Sequence, residues 1–291
     1  MQGILRLAAA SLALAAPLAS AAPSIPPAIY TDPPADAKHP ARMEVLHIPS
    51  GGVEINGVAY LAAGAGLHPT VVICHGLPGN EKNLDLAQAL RRRGWNAITF
   101  NYRGSWGSPG TFRFGQNPED ARAVLAFLRQ PDTALKLGID TGRMAMVGHS
   151  MGGWVTAMAG SEEPDLRGLV MISAGNIGPI GKLSEADRVK LIVENSETLN
   201  NTTQVLSAEL AAHAAEWDYV NRAGSLRATP LLVLTSDDGL APDGDVLVAA
   251  LRKTGSTKVQ TAHVATDHSW SDHRIDLEAR VIRFLEPLLA R

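Results

Sequence analysis

The sequence has a single cysteine among its 291 residues, and its charge is close to balanced. One cysteine excludes an internal disulfide framework and any zinc site built from cysteines. Lysine and arginine total 26 against 29 acidic residues, a net charge of −3. Nucleic-acid-binding proteins normally carry an excess of positive charge, so we expect no nucleic-acid partner. With 45% hydrophobic and 19% charged residues, the composition predicts a large core and little disorder.

The first 22 residues predict an export signal peptide. Arg6 precedes an apolar run over residues 7–18, and Ala19-Ser20-Ala21 provides the small side chains that a signal peptidase requires. The alternative is an amphipathic helix of the domain, but the segment has no polar face. Twelve residues in a helix span about 18 Å, short of the ~30 Å hydrocarbon core. We therefore expect a periplasmic or secreted protein without a permanent membrane anchor.

After the signal, proline and alanine dominate residues 23–42, which is typical of an extended tether. From residue 43 to residue 291, strand and helix patterns alternate in one predicted domain. The strand patterns cover residues 43–48, 53–61, 70–74, 97–101, 144–147, 169–173, 231–234 and 258–264. Helix patterns cover residues 84–93, 117–128, 154–160 and 272–289. This alternation predicts an α/β fold, with a mostly parallel sheet that has helices on both faces. Cys74 ends a continuous apolar run and is expected to be a buried strand residue.

The alternation stops over residues 176–226, where strand signals are absent. A capping box begins at Ser184, and apolar residues from Leu206 to Val220 follow a roughly helical spacing. About fifty helical residues between two strands favour a lid over the functional site. A packing hairpin with no role in access is the alternative that the sequence leaves open.

The segment Gly148–Gly152 matches the pattern G-x-S-x-G, with Ser150 at its centre. A strand pattern runs directly into the motif and a helix pattern leaves it, which is the context that the motif requires. Glycines two positions on either side remove side chains that would clash in so tight a turn. The next amide, that of Met151, lies at a helix N-terminus, where it can stabilise a developing oxyanion. Ser150 is the predicted nucleophile.

A serine nucleophile needs a histidine base, and in this class of fold the histidine follows the serine and the acid along the chain. Of the four histidines after Ser150, only His268 lies in the loop that follows the last strand pattern. His273, in the first turn of the closing helix, is the main alternative. His213 lies in the insertion and His263 lies within the last strand.

The acid is expected in a loop just beyond a strand, where it can orient the imidazole. Asp237 and Asp238 both follow the strand at residues 231–234, and local spacing does not choose between them. The second oxyanion donor is expected from the loop at His75–Gly79, whose glycines let the backbone approach the reacting carbonyl. We expect His75 to brace this loop, because it precedes the serine along the chain.

From residue 53 to the C-terminus, the chain resembles the α/β-hydrolase superfamily. The motifs that carry the resemblance are HGLPG at residues 75–79, NYRGSWGSPG at 101–110, GHSMGG at 148–153, SDDGLAP at 236–242 and DHSW at 267–270. The resemblance implies Ser150 as nucleophile, His268 as base, and the amides of Leu77 and Met151 as the oxyanion hole. In the family's acid motif an aspartate stands four residues before a proline, which selects Asp238. The family chemistry implies neither a metal nor an organic cofactor.

Within that superfamily, the chain looks like exported esterases and the dienelactone-hydrolase and serine-aminopeptidase branches. The predicted function is hydrolysis of a small-molecule carboxylic ester through an acyl-enzyme. A peptidase or aminopeptidase with the same triad is one alternative, although the sequence shows no clear acidic cluster for a substrate amine. A non-catalytic binding protein that kept the fold is the other. The sequence leaves the acyl and alcohol preferences and the oligomeric state open.

Overall fold

The structure is a computed structural model that describes residues 24–290. The predicted signal peptide at residues 1–22 lies outside the described residues. Within the predicted tether, Pro27–Ile29 form a 3₁₀ turn. The side chain of Arg92 donates hydrogen bonds to the carbonyls of Ala28 and Ile29, at 2.5 and 2.9 Å. This part of the predicted tether therefore lies against the first long helix of the domain.

Eight strands form the sheet, and most of them coincide with the apolar runs of the sequence. They are β1 (Arg42–Ser50), β2 (Val53–Leu61), β3 (His68–Cys74), β4 (Asn96–Phe100), β5 (Ile139–His149), β6 (Gly168–Ile172), β7 (Leu231–Ser236) and β8 (Val259–Val264). The spatial order is β1-β2-β4-β3-β5-β6-β7-β8. β2 pairs antiparallel with both β1 and β4, and every other pair is parallel. The prediction of a mostly parallel sheet is confirmed.

Ten α-helices connect or cover the strands in the described part of the chain. They are α1 (Leu84–Arg92), α2 (Gln116–Arg129), α3 (Pro131–Leu137), α4 (Met151–Gly160), α5 (Ile177–Ile180), α6 (Glu185–Val193), α7 (Thr203–Ala212), α8 (Ala223–Leu226), α9 (Ala241–Lys253) and α10 (Arg274–Leu289). The helices α5 to α8 make up most of the insertion between β6 and β7. Its second helix begins at the predicted capping residue, since the Ser184 hydroxyl accepts from the Asp187 amide at 3.2 Å.

The two faces of the sheet belong to two separate apolar cores, because alternate residues of a strand point in opposite directions. In β3, Val71 and Ile73 pack with α1 and α10, whereas Val72 and Cys74 pack with α2, α4 and α9 on the other face. Cys74 is completely buried, as predicted, and burial raises the pKa of its thiol to about 12. The parallel strands β3, β5, β6 and β7 all end on the same edge of the sheet, and the loops at this edge carry the predicted site residues.

Outside the insertion, the sequence patterns do not indicate two of the helices. α3 has only seven residues, and α9 begins with Pro242 in its first turn. β5 also begins five residues before its predicted start, because a polar stretch precedes its apolar run. No helix within residues 24–290 has both the length and the apolar character needed to cross a bilayer.

Candidate active site

Ser150 occupies the turn between β5 and α4, in a backbone conformation that side-chain-bearing residues rarely adopt. Its φ is 58° and its ψ is −124°, and such positive φ angles persist only when the surroundings enforce them. Two hydrogen bonds do so: the Ser150 amide donates to the Ile172 carbonyl, and the Gly153 amide donates to the Ser150 carbonyl, both at 2.9 Å. The turn therefore raises the serine side chain at the edge of the sheet, as the motif predicts.

The two flanking glycines are required by the closeness of the surrounding backbone. A Cβ at Gly148 would overlap the carbonyl of Gly152, and a Cβ at Gly152 would overlap the carbonyl of Cys74 at the end of β3. The first contact lets the helix begin directly after the strand. The second joins the nucleophile turn to the loop that follows Cys74, so the two loops keep a fixed relative position.

The loop after β3 passes over the serine. A Cβ at Gly76 would lie 2.8 Å from the Cβ of Ser150 and 3.3 Å from its hydroxyl oxygen, so only glycine fits without displacement. The neighbouring amide of Leu77 and the amide of Met151 have no hydrogen-bond acceptor within the described residues 24–290. Two free amide donors thus come from the two loops that meet at the serine.

His268 and Asp238 form a direct pair. The imidazole Nδ1 lies 2.7 Å from the carboxylate Oδ2 of Asp238, and the other oxygen accepts from the Leu240 amide at 2.9 Å. The aspartate side chain is only 4% exposed, whereas that of His268 is 39% exposed. Burial alone would raise the pKa of Asp238, but the hydrogen bonds from His268 and Leu240 outweigh it and lower this pKa to about 2. The carboxylate therefore stays ionised near neutral pH.

The other aspartate that the spacing allowed has a different partner. Asp237 Oδ1 lies 3.0 Å from Nε2 of His263, and both side chains are more than half exposed on the edge of the sheet. The remaining candidate bases lie elsewhere. His213 pairs with Glu216 in the insertion, and His273 is the N-cap residue of α10 beside Asp272. Of the two aspartates, the structure pairs Asp238 with His268.

Ser150 and His268 line one cleft, whose volume is about 240 Å³. Four parts of the chain form its walls: the loop after β3, the turn at Ser150, the insertion and the loop of His268. The lining residues are Gly76, Leu77, Pro78, Gly79, Asn80, Glu81, His149, Ser150, Asn195, His268 and Ser269. Leu77, Ser150 and His268 in this lining are predicted site residues, whereas Asn195, His149 and Glu81 are not.

The insertion borders this cleft and is hydrogen-bonded to two other parts of the domain, at Gly104 and at Pro78. Asn195 follows α6 and lines the cleft, and the Asn200 amide donates to the Gly104 carbonyl at 2.7 Å. The Pro78 carbonyl in the loop after β3 accepts from the indole of Trp106 at 2.5 Å and from the Thr198 hydroxyl at 3.4 Å. The insertion thus has the position expected of a lid. It is also packed into the domain, since the buried Trp154 indole donates to its Trp217 carbonyl at 2.7 Å.

Two buried histidines support the loops without belonging to the triad. His75 Nδ1 lies 2.8 Å from the Gly76 carbonyl, and its ring packs on Tyr102, whose hydroxyl donates to the His75 carbonyl at 3.1 Å. His75 thus has the bracing role expected from its place in the sequence. His149 Nε2 donates to the carbonyl of His268 at 2.8 Å. It therefore positions the loop of the predicted base, and its place directly before the serine was the available signal.

The lowered pKa values of these two histidines predict that the folded protein loses stability in mild acid. Burial lowers the pKa of His75 to about 4, and burial together with the nearby His268 lowers that of His149 to about 4. An unfolded chain protonates both near pH 6.5 while the folded chain does not, so the free energy of unfolding falls as the pH drops from about 6.5 to about 4. Each histidine contributes up to about 3 kcal/mol to this fall. Urea unfolding followed by tryptophan fluorescence at several pH values measures it.

The control for this prediction is an exposed histidine. His149→Gln keeps a side-chain donor for the His268 carbonyl but does not titrate, so we expect it to reduce the pH dependence by about half. His47→Gln, on the exposed side of β1, is expected to leave the dependence as it is in the unaltered chain. If the free energy of unfolding changes equally with pH in all three proteins, His149 is not a source of the pH dependence.

A sheet of this order, with a serine on a strand-to-helix turn beneath a glycine-containing loop, defines the α/β-hydrolase class. Residues 71–285 match the family model described as "Alpha/beta hydrolase family". The chain belongs to this family, as the motifs predict. Among curated proteins, an uncharacterized protein of Mycobacterium tuberculosis is 30% identical over 134 residues, which is 45% of this chain and 46% of the relative. The chain thus spans about half the length of the curated relatives it matches.

Solved structures agree on the fold. The hydrolase of 2,6-dihydroxy-pseudo-oxynicotine superposes with a TM-score of 0.67 at 17% identity, covering 87% of this chain and 69% of that one. A hyperthermophilic esterase from the archaeon Pyrobaculum calidifontis gives a TM-score of 0.63 at 18% identity, covering 87% and 88%. Identities this low carry the fold to this chain but not a substrate. Within residues 24–290, no group of three or more potential metal-ligating side chains is arranged to hold an ion.

Proposed function

We propose that the protein is a serine hydrolase that cleaves a carboxylic ester through an acyl-enzyme. The observation that carries this proposal is the arrangement at one cleft: Ser150 beneath the loop after β3, and His268 paired at 2.7 Å with a buried, ionised Asp238. A hydroxyl nucleophile, an imidazole and an orienting carboxylate are the groups that acyl transfer requires.

In the proposed reaction, the Ser150 hydroxyl adds to the ester carbonyl while His268 takes its proton. The negative charge that develops on the carbonyl oxygen is stabilised by the amides of Leu77 and Met151, which have no other acceptor within residues 24–290. His268 then gives the proton to the leaving alcohol as the carbon–oxygen bond breaks. A water molecule repeats the sequence on the acyl-enzyme, releases the acid and restores Ser150. Asp238 holds the imidazole in the tautomer that presents Nε2 to the serine.

A fluorophosphonate probe tests whether Ser150 is a reactive nucleophile. We expect stoichiometric labelling, with mass spectrometry placing the adduct on the peptide that contains Ser150. A chain that hydrolyses no ester and whose Ser150 stays unlabelled would be the non-catalytic binding protein instead. A parallel screen of p-nitrophenyl esters and aminoacyl anilides separates the esterase from the peptidase alternative, because only a peptidase turns over the anilides efficiently.

Export is a further part of this proposal, and it rests on the sequence of residues 1–22. The test is the mass of the protein recovered from the exported fraction of an expressing bacterium. A mature chain that begins near residue 23 supports removal of the signal, and an intact chain retained in the cytoplasm contradicts it.

A further inference from the structure

The cleft beside Ser150 contains a carboxylate that the proposed reaction does not use. Among the described residues that line the cleft, Glu81 is the only acidic or basic residue other than the two histidines. Its neighbours Asn80 and Asn195 are neutral amides. A substrate that occupies this cleft of about 240 Å³ at Ser150 therefore lies near Glu81.

The carboxylate of Glu81 is anchored through one of its two oxygens. Oε1 accepts a hydrogen bond from the Asn83 amide at 2.5 Å, and the same oxygen lies 3.9 Å from Nη2 of Arg274. The side chain is 31% exposed. Both contacts are made by Oε1, and Oε2 makes no hydrogen bond or ion pair within residues 24–290.

The nearby cations are committed to other partners. Arg274 binds Asp85 through two hydrogen bonds, at 2.6 and 2.7 Å, and it is much closer to Asp85 than to Glu81. Lys82 donates to the side chain of Asn101 at 2.9 Å and lies over the ring of Trp106, outside the cleft lining. The negative charge of Glu81 is therefore only partly balanced, which favours a cation in the cleft.

The position of Glu81 indicates which part of a substrate it faces. Nη1 of Arg274 donates to the Ser269 carbonyl at 2.9 Å, while Nη2 lies beside Glu81. The guanidinium thus connects Glu81 with the residue directly after His268. In the proposed reaction His268 returns its proton to the leaving alcohol, so we expect that alcohol along the His268–Ser269 wall, to which Arg274 connects Glu81.

We propose that Glu81 selects esters whose alcohol portion carries a positive charge, such as esters of amino alcohols. This inference rests on the proposed esterase function and adds the substrate class. The Glu81 carboxylate pairs with the cation of the alcohol and holds the ester so that its carbonyl lies at Ser150.

Two thioacetates of the same shape test the proposal. Acetylthiocholine carries a quaternary ammonium group, and S-(3,3-dimethylbutyl) thioacetate replaces that nitrogen with carbon. Released thiol is followed with a chromogenic disulfide reagent, which the buried Cys74 does not consume. We expect kcat/KM for the cationic probe to exceed that for its neutral isostere about tenfold, the effect of one partly desolvated ion pair. Added salt should lower this ratio, since salt screens the pair.

Glu81→Gln removes the charge and keeps an Oε1 acceptor for the Asn83 amide, so the loop retains its hydrogen bond. We expect this variant to bring the ratio of the two kcat/KM values close to one. Glu54→Gln removes a carboxylate from the exposed face of β2 and should leave the ratio as it is in the unaltered protein. Thermal unfolding confirms that both variants are folded.

Three results would overturn the inference. The first is a ratio near one in the unaltered protein, or a ratio that neither salt nor Glu81→Gln changes. The second is failure to hydrolyse the cationic probe by a protein that hydrolyses p-nitrophenyl acetate. The third is an effect of Glu81→Gln confined to aminoacyl anilides, whose charge lies on the acyl side. The proposed function fails separately, and the inference with it, if neither thioacetate nor p-nitrophenyl acetate is hydrolysed.

Discussion

Ser150→Ala is expected to lower kcat for p-nitrophenyl acetate by about 10⁴- to 10⁶-fold while leaving the protein folded. In the proposed reaction the hydroxyl is the only group of Ser150 that reacts. Alanine keeps the Cβ and therefore the same energetic cost of the positive φ. The turn is held by backbone hydrogen bonds from the Ser150 and Gly153 amides, which the substitution leaves in place. The thermal unfolding midpoint should therefore stay within about 2 °C of that of the unaltered protein.

Ser161→Ala is the matched control, because Ser161 caps the other end of the same helix, α4. Its hydroxyl donates to the Met158 carbonyl and lies outside the cleft lining. We expect its kcat to stay within about twofold of the unaltered value. Ester hydrolysis by the Ser150→Ala variant at the full rate would refute the nucleophile assignment.

Asp238→Asn is expected to lower kcat by about 10³- to 10⁴-fold at neutral pH. Its carboxylate accepts a hydrogen bond from Nδ1 of His268 at 2.7 Å, and in the proposed reaction its negative charge stabilises the imidazolium. The neutral amide supplies no such charge and no longer enforces the required tautomer. The depressed pKa of Asp238, about 2, means that the carboxylate itself remains ionised throughout the range of an ordinary pH–rate profile.

The adjacent Asp237 provides a control of the same residue type. Its carboxylate pairs with the exposed His263 at the edge of the sheet. Exposed ion pairs contribute little to stability, and Asp237 lies outside the cleft lining. Asp237→Asn should therefore leave kcat within about twofold of the unaltered value. A large loss in the Asp237 variant with a small loss in the Asp238 variant would reverse the assignment of the acid. Both variants are compared by their kcat on p-nitrophenyl acetate.

The parts of the fold that the sequence predicts best are the buried parallel strands. Runs such as residues 70–74 and 231–234 are apolar without alternation, because both faces of the sheet are covered. Each run lies within the strand that the structure assigns to it. α9 was missed because its first turn combines proline, glycine and aspartate, which are weak helix formers. The polar start of β5 was missed because it lacks the apolar side chains that mark a strand.

The candidate site shows the same division between local and long-range information. Ser150 can be predicted from the sequence because the residues at 148 and 152 must be glycine. His268 can be predicted because it is the one histidine in the loop that follows the last strand pattern. The presence of Glu81 and Asn195 in the cleft could not be predicted, since they reach it from loops that only the folded chain brings together. The pairing of Asp237 with His263 depends on the register between β7 and β8, which a single strand does not encode.

The carbonyl of Pro78 connects the insertion that borders the cleft with the loop that carries the proposed oxyanion donor Leu77. This oxygen accepts from Trp106 and, through Thr198, from the insertion. It lies one residue beyond Leu77, whose amide is a proposed oxyanion donor. If the insertion moves outward to admit a bulky ester, the hydrogen bond from Thr198 breaks and the Pro78 carbonyl keeps only that from Trp106. Substrate entry and bond cleavage would then require different positions of the insertion.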